Sequence, residues 1–161
     1  MRLSAYGITA DLRPGWEGRI TKRIEPAGRA GVASANGTPG ETPAPIVHLA
    51  NFALPEQRGD FGSGAVDIMR SGHVLITLFE YGPESVGRAL FASRGVPKLA
   101  PRMFDRAALQ RTLPGQAGCQ RFFTEAGRAF SLYVVLGRHT DAAALVPEAN
   151  ATLTATTIGA R

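Results

Sequence analysis

One cysteine, one tryptophan and two lysines (Lys22 and Lys98) are all that 161 residues contain of those three types. The lone Cys119 excludes an intramolecular disulfide, and with it the small secreted scaffolds that depend on such staples. Apolar runs are short. None approaches the roughly 20 residues that a membrane helix needs, so no membrane insertion is expected. The opening Met1-Arg2-Leu3-Ser4-Ala5-Tyr6 has no apolar signal core, which sets the expectation of a cytoplasmic protein. Runs of like charge are missing too. The net charge of +5 and the pI near 10.1 raise nucleic acid as a partner, but the arginines are spread singly along the chain and read as a solvated surface.

Catalytic and metal-binding patterns are equally sparse. His48, His73 and His139 stand alone, without the i,i+2 or i,i+4 spacing that sets two nitrogens on one ion. His48 and His73 are the pair that folding could make neighbours. No metal and no cofactor are expected. Cys119 reads as a small buried hydrophobe, since an activated thiolate needs exposure and a cationic neighbour, and Arg121 supplies at most the second. There is no Gly-x-Ser-x-Gly elbow, and the spacing of Asp60, Glu80, Glu84 and Glu125 pairs none of them. Phe122 and Phe123, beside Arg121, look like an RNA-stacking strand, but adjacent strand residues face opposite sides and cannot form one platform.

What is present is an alternation of strands and turns. Residues 119–126 and 129–136 read as a hairpin about Gly127. Phe130-Ser131-Leu132-Tyr133-Val134-Val135-Leu136 carries bulk on both faces, so this strand belongs inside a layered sheet. Residues 6–12 alternate Tyr6, Ile8, Ala10 and Leu12, and Pro14-Gly15 then turns the chain at Trp16. A second strand is expected over 19–24, paired with the first. Further strands are expected at 46–54, 74–81 and 108–113, with a short last one at 156–158. The strands after 108 are expected to complete a meander. Ser63 is placed as the N-cap of a short helix closed by Gly72. A helical turn is placed within 85–92, and Leu90, Phe91, Val96, Leu99 and Phe104 are expected to form a cover layer. Asp141 caps a C-terminal helix through Leu145, Val146, Ala149 and Leu153, with Pro147 expected to kink or restart it. The stretch 26–45 is rich in Gly, Ala, Ser, Thr and Pro and reads as a flexible loop. The whole, 1–161, is read as a single domain, long enough to bury roughly two thirds of its unfolded surface.

This order of elements resembles the PsbP/Mog1-like fold, in particular its LpqN-type actinobacterial lipoprotein relatives. The residues that carry the resemblance are Tyr6-Gly7-Ile8, Leu12 and Pro14-Gly15-Trp16 near the start. Further on they are Pro114-Gly115, Gly127-Arg128-Ala129-Phe130, Leu132 to Gly137, and Ala149-Asn150-Ala151-Thr152-Leu153. Those relatives carry an export signal and a lipid-modified cysteine, neither of which stands in this sequence. The resemblance implies an α+β protein, a three-layer α/β/α sandwich on a twisted, mainly antiparallel sheet. It also implies a binding, assembly or accessory role without catalysis, and it transfers no catalytic residue.

Two sets of residues follow as candidate sites. A protein partner is expected to meet Trp16, Arg19, Arg23 and the 26–45 loop, which makes the chain an accessory subunit of a larger assembly. The alternative is a small-molecule or anion site, enzymatic or not, on Arg58, Gly59, Gly62, Ser63 and Gly64. There the glycines would admit a ligand, and Arg58 or Arg70 would hold its charge.

Overall fold

The computed structural model describes residues 1–22, 44–109 and 113–160. Among them eight strands form two antiparallel sheets accompanied by two α-helices, an α+β arrangement. The smaller sheet has the order β1 (Arg2–Ala5), β2 (Ile8–Asp11), β8 (Thr156–Ile158). The strand expected over 6–12 is therefore split. Tyr6 and Gly7, with φ of 53° and 74°, form a two-residue turn between β1 and β2, the geometry that matches strand twist. Ile8, Ala10 and Leu12 keep the inward alternation, whereas Tyr6 turns outward and its ring receives the Lys22 ammonium at 5.1 Å.

The larger sheet runs β3 (Glu17–Lys22), β4 (Pro45–Ala50), β5 (Val74–Glu80), β7 (Arg128–Leu136), β6 (Ala117–Glu125). Two expectations are corrected by it. Strand β3 pairs with β4 and not with the first strand. Strand β7 lies between β5 and β6, so the last strands are not a plain meander. The first correction has a steric cause at Gly18: a Cβ there would stand 2.5 Å from Leu3 Cδ1 and 2.9 Å from both Leu12 Cδ1 and Leu49 Cδ2. The small sheet packs face-on over β3 at that glycine. The second follows from burial, since all nine residues of β7 are buried, and an apolar strand of that kind takes the position with neighbours on both edges.

One face of the large sheet is covered by α2 (Ala142–Thr154). Leu145, Val146, Ala149 and Leu153 pack into one core with Leu132, Val134, Leu136, Ile76 and Val47, joined by Ile8, Ala10 and Ile158 of the small sheet. The helix continues through Pro147 and does not restart there. The amide that proline lacks would have bonded the Ala143 carbonyl, and Ala143 lies exposed, where water answers it. Asp141 is the N-cap by position, but its side chain makes no capping hydrogen bond. Strand β8 forms where a last short strand was expected.

The opposite face is covered by α1 (Ser63–Val66) and by loops, with Val66 and Leu109 over Leu75, Tyr133 and Val135. Helix α1 is one turn long. Its N-cap is Gly62, in the left-handed region at φ 80°, and Ser63 is the first helical residue without a capping bond. Its C-cap is Asp67, so Gly72 serves a separate turn. Where a strand was expected to begin at Ala108, that residue closes a 3₁₀ turn, Arg106–Ala108, in which the Ala107 amide donates to Asp105 Oδ1 at 2.8 Å. Asp105 also pairs through its backbone with Gly118 of β6, which ends strand pairing there; residues 110–112 lie outside the described residues. The helical turn expected within 85–92 resolves into two 3₁₀ turns, Pro83–Ser85 and Ala89–Phe91. Of the expected cover layer, Phe91 is buried, Leu99 and Phe104 are buried in the core on the α2 side with Val96 partly buried against it, and Leu90 is exposed.

Candidate functional site

Register places one polar row across the loop-covered face. Arg19 stands opposite His48, His48 opposite Thr77, Thr77 opposite Tyr133, and Tyr133 opposite Gln120. Side chains directly opposed on one face lie about 5 Å apart at Cβ, so a residue expected to meet a protein partner, Arg19, is set beside His48. The chain after β4 then returns over the same spot. Arg58 Nε donates to His48 Nδ1 at 3.3 Å, and its NH1 donates to the carbonyls of Pro55 at 3.0 Å and Glu56 at 3.2 Å.

These contacts fix the state of the imidazole. A guanidinium can only donate, so Nδ1 bears the lone pair and Nε2–H donates to the Asp60 carbonyl, 3.0 Å away. Burial first, and then the charge of Arg58, push the His48 pKa down to about 4 against the opposing effect of that carbonyl. His48 is therefore a neutral post that holds Arg58 from behind. Burial and the nearby Arg19 charge lower the Arg58 pKa from its usual value. The two guanidiniums thus act on each other, and among the described residues neither forms an ion pair with a carboxylate. Arg19 is exposed and Arg58 half-buried.

The Gly59–Gly64 loop lies against this row, and its glycines are required by packing. A Cβ on Gly62 would stand 2.7 Å from Leu75 Cδ2, and one on Gly64 would stand 2.2 Å from the Gln57 carbonyl oxygen. The Gly62 amide donates to the Gly59 carbonyl and the Gly64 amide to the Arg58 carbonyl, while Ala65 and Val66 both donate to Gly62. These amides close the loop on itself, and α1 is too short to focus charge at its end. Ser63 is exposed at the loop's rim. Arg58 belongs with Arg19 and His48; Arg70 lies elsewhere, its amide donating to His73 Nδ1 at 3.1 Å.

Trp16 is 7 % exposed and belongs to the core under the small sheet, away from this corner. Arg23, and the 26–45 loop up to residue 43, lie outside the described residues. His73 stacks on Phe52 with ring centroids 4.6 Å apart and shares no site with His48; among the described residues no cluster could hold a metal ion. Cys119 is buried in the core, and burial raises its thiol pKa despite Arg121. A buried arginine, Arg128, escaped the sequence reading. Its Nε and NH2 donate to Glu80 Oε1 and Oε2 at 3.0 and 2.6 Å, and its NH1 donates to the Gly159 carbonyl at 3.0 Å. This fork ties the residue that follows β8 of the small sheet to β5 and β7 of the large one.

His48, Thr77 and Tyr133 were not singled out as one site from sequence, because the row exists only once β7 is inserted beside β5. The one signal in the sequence was a polar residue inside each of three otherwise apolar strands. No protein-family model, no curated protein and no solved structure matches this chain. Among the described residues no helix is long and apolar enough to cross a membrane.

Proposed function

We propose that this chain is a non-catalytic binding protein, an accessory subunit that docks an acidic surface of another protein on the Arg19–Arg58 corner. The observation that carries the reading is that Arg58 is bonded to a neutral histidine whose register partner is Arg19, with no ion pair to a carboxylate on either arginine among the described residues. Arg58 commits its Nε and NH1 within the fold and leaves NH2 to donate to a carboxylate, while Arg19 commits NH1 to the Gly18 carbonyl and keeps its Nε–NH2 edge for bidentate recognition. Because Arg58 is already held by His48 and two carbonyls, less side-chain freedom is lost when a partner arrives.

Chemical groups elsewhere support binding over catalysis. Both ring nitrogens of His48 are engaged, and Cys119 is buried with its thiol made less acidic, so neither is poised as a base or a nucleophile. The succession of elements, read as a PsbP/Mog1-like three-layer α/β/α sandwich, points the same way, since members of that fold mostly serve as binding or assembly proteins. A cytoplasmic location belongs to the same proposal.

The test is capture of partners from native cell extract on immobilised wild type and Arg19→Glu, at low and high salt. A stoichiometric partner held by the wild type, weakened by salt and lost with Arg19→Glu, supports docking at this corner. Identical partner profiles on the two proteins refute it.

A further inference from the structure

Two hydroxyls on the loop-covered face have no hydrogen-bond partner among the described residues. Thr77 on β5 and Ser131 on β7 are fully buried, and neither Thr77 Oγ1 nor Ser131 Oγ makes a hydrogen bond. Thr77 is opposite Tyr133, so Ser131, two residues earlier on β7, is its diagonal neighbour on the same face, about 7–8 Å away. A buried hydroxyl without a partner is destabilising. Two of them close together, on the adjacent interior strands β5 and β7, mark a place where a polar ligand would be answered.

The surroundings define the ligand. In register, Ser131 lies between Phe79 and Phe122. Phe61 stacks on Phe79 with centroids 5.1 Å apart and planes 8° from parallel, and Tyr81 meets Phe79 edge-on at 5.1 Å. A half-exposed phenyl ring thus covers Phe79, the residue opposite Ser131 and two along β5 from Thr77 on the same face. Phe61 is carried between Gly59 and Gly62, whose φ values of 65° and 80° only glycine adopts freely. A Cβ on Gly62 would lie 3.5 Å from Thr77 Oγ1 and 3.6 Å from His48 Cδ2, so the loop roofs the hydroxyl closely. On the far side of Thr77 stands His48, with the Arg58 guanidinium on its Nδ1.

We propose that this face binds a small aromatic carboxylic acid. Its ring takes the place that Phe61 holds against Phe79, its carboxylate pairs with Arg58, and its polar edge bonds Thr77 Oγ1 and Ser131 Oγ. Hydroxyls both donate and accept, so the edge can be a phenol or a ring heteroatom. Phe61 swings outward about its flanking glycines as the ligand enters. The site shares Arg58 with the docking corner, so its test reads the buried hydroxyls, which a macromolecular partner cannot reach.

The probe is 4-hydroxybenzoate, titrated into the purified full chain while the Thr77 methyl resonance and the melting temperature are followed; acetate and cyclohexanecarboxylate serve as controls. The expected result is saturable binding of the aromatic acid above both controls. Thr77→Val and Ser131→Ala should each weaken it about three- to tenfold, the loss of one hydrogen bond, without lowering the melting temperature of the free protein. Phe61→Ala should tighten binding, because it removes the competing ring. A purely structural Phe61 would give the opposite. Absence of a saturable shift at Thr77, or equal affinity in wild type and all three variants, overturns the proposal. Ser131→Ala, which is buried away from Arg19 and Arg58, should weaken this titration and leave partner capture at the docking corner unchanged, so the two readings fail separately.

Discussion

Replacing His48 by Gln should flatten the acid limb of the stability curve. Unfolded, this histidine takes up its proton near pH 6.5; folded, burial and Arg58 hold its pKa at about 4. Between those values the unfolded chain binds a proton that the folded chain does not, so folding stability falls as pH drops from 6.5 toward 4 and is restored as pH rises. At about 1.4 kcal/mol per pH unit the full loss is about 3 kcal/mol, of which about 2.5 kcal/mol is reached by pH 4.5. Gln retains an amide to face the Asp60 carbonyl but no titrating group. Urea unfolding of both proteins at pH 7 and pH 4.5 measures the effect, with the midpoint and slope analysed together. Carboxylates titrate alike in the two proteins, so the difference between the two pH dependences isolates His48. Parallel losses in wild type and variant would refute the neutral, doubly bonded imidazole.

Other outcomes follow from groups away from the corner. Glu80→Gln should cost about 3–5 kcal/mol by leaving Arg128 charged and unanswered in the interior, whereas Glu80→Met with Arg128→Leu should recover much of that loss, both read by chemical unfolding. Gly137→Ala should destabilise by at least ~2 kcal/mol, because its Cβ would fall 1.7 Å from the Arg70 carbonyl oxygen and backbone must move. Cys119 should react with a thiol reagent only at the rate of opening, given its burial and raised pKa; rapid labelling of the native protein would contradict that.

The sequence was most readable where burial on two faces left a pattern that only one position satisfies. Phe130 to Leu136 could be read as an interior strand before any partner was known, and the Leu145, Val146, Ala149 and Leu153 stripe as a covering helix. It was least readable where a single residue decides the path. Tyr6 alternates with Ile8 and Ala10 like a strand residue, yet the following glycine at φ 74° makes it a turn. Gly18 looks like any strand glycine, and only the contact with Leu3, Leu12 and Leu49 shows why the small sheet packs over β3 instead of pairing with it. Arg19 and Arg58 were each picked out, but for different sites. Their meeting depends on the register of β3 with β4 and on the return of the 51–62 chain, neither of which is written in local spacing.

The most direct measurement of the central claim is an NMR titration of the protein with a short Glu-rich peptide, observing the arginine Nε–H signals. The account predicts that Arg19 and Arg58 shift first and saturate together, that added salt weakens both, and that Arg2 and Arg121 move little. Equal shifts spread over all exposed arginines would show a merely basic surface and contradict a docking corner.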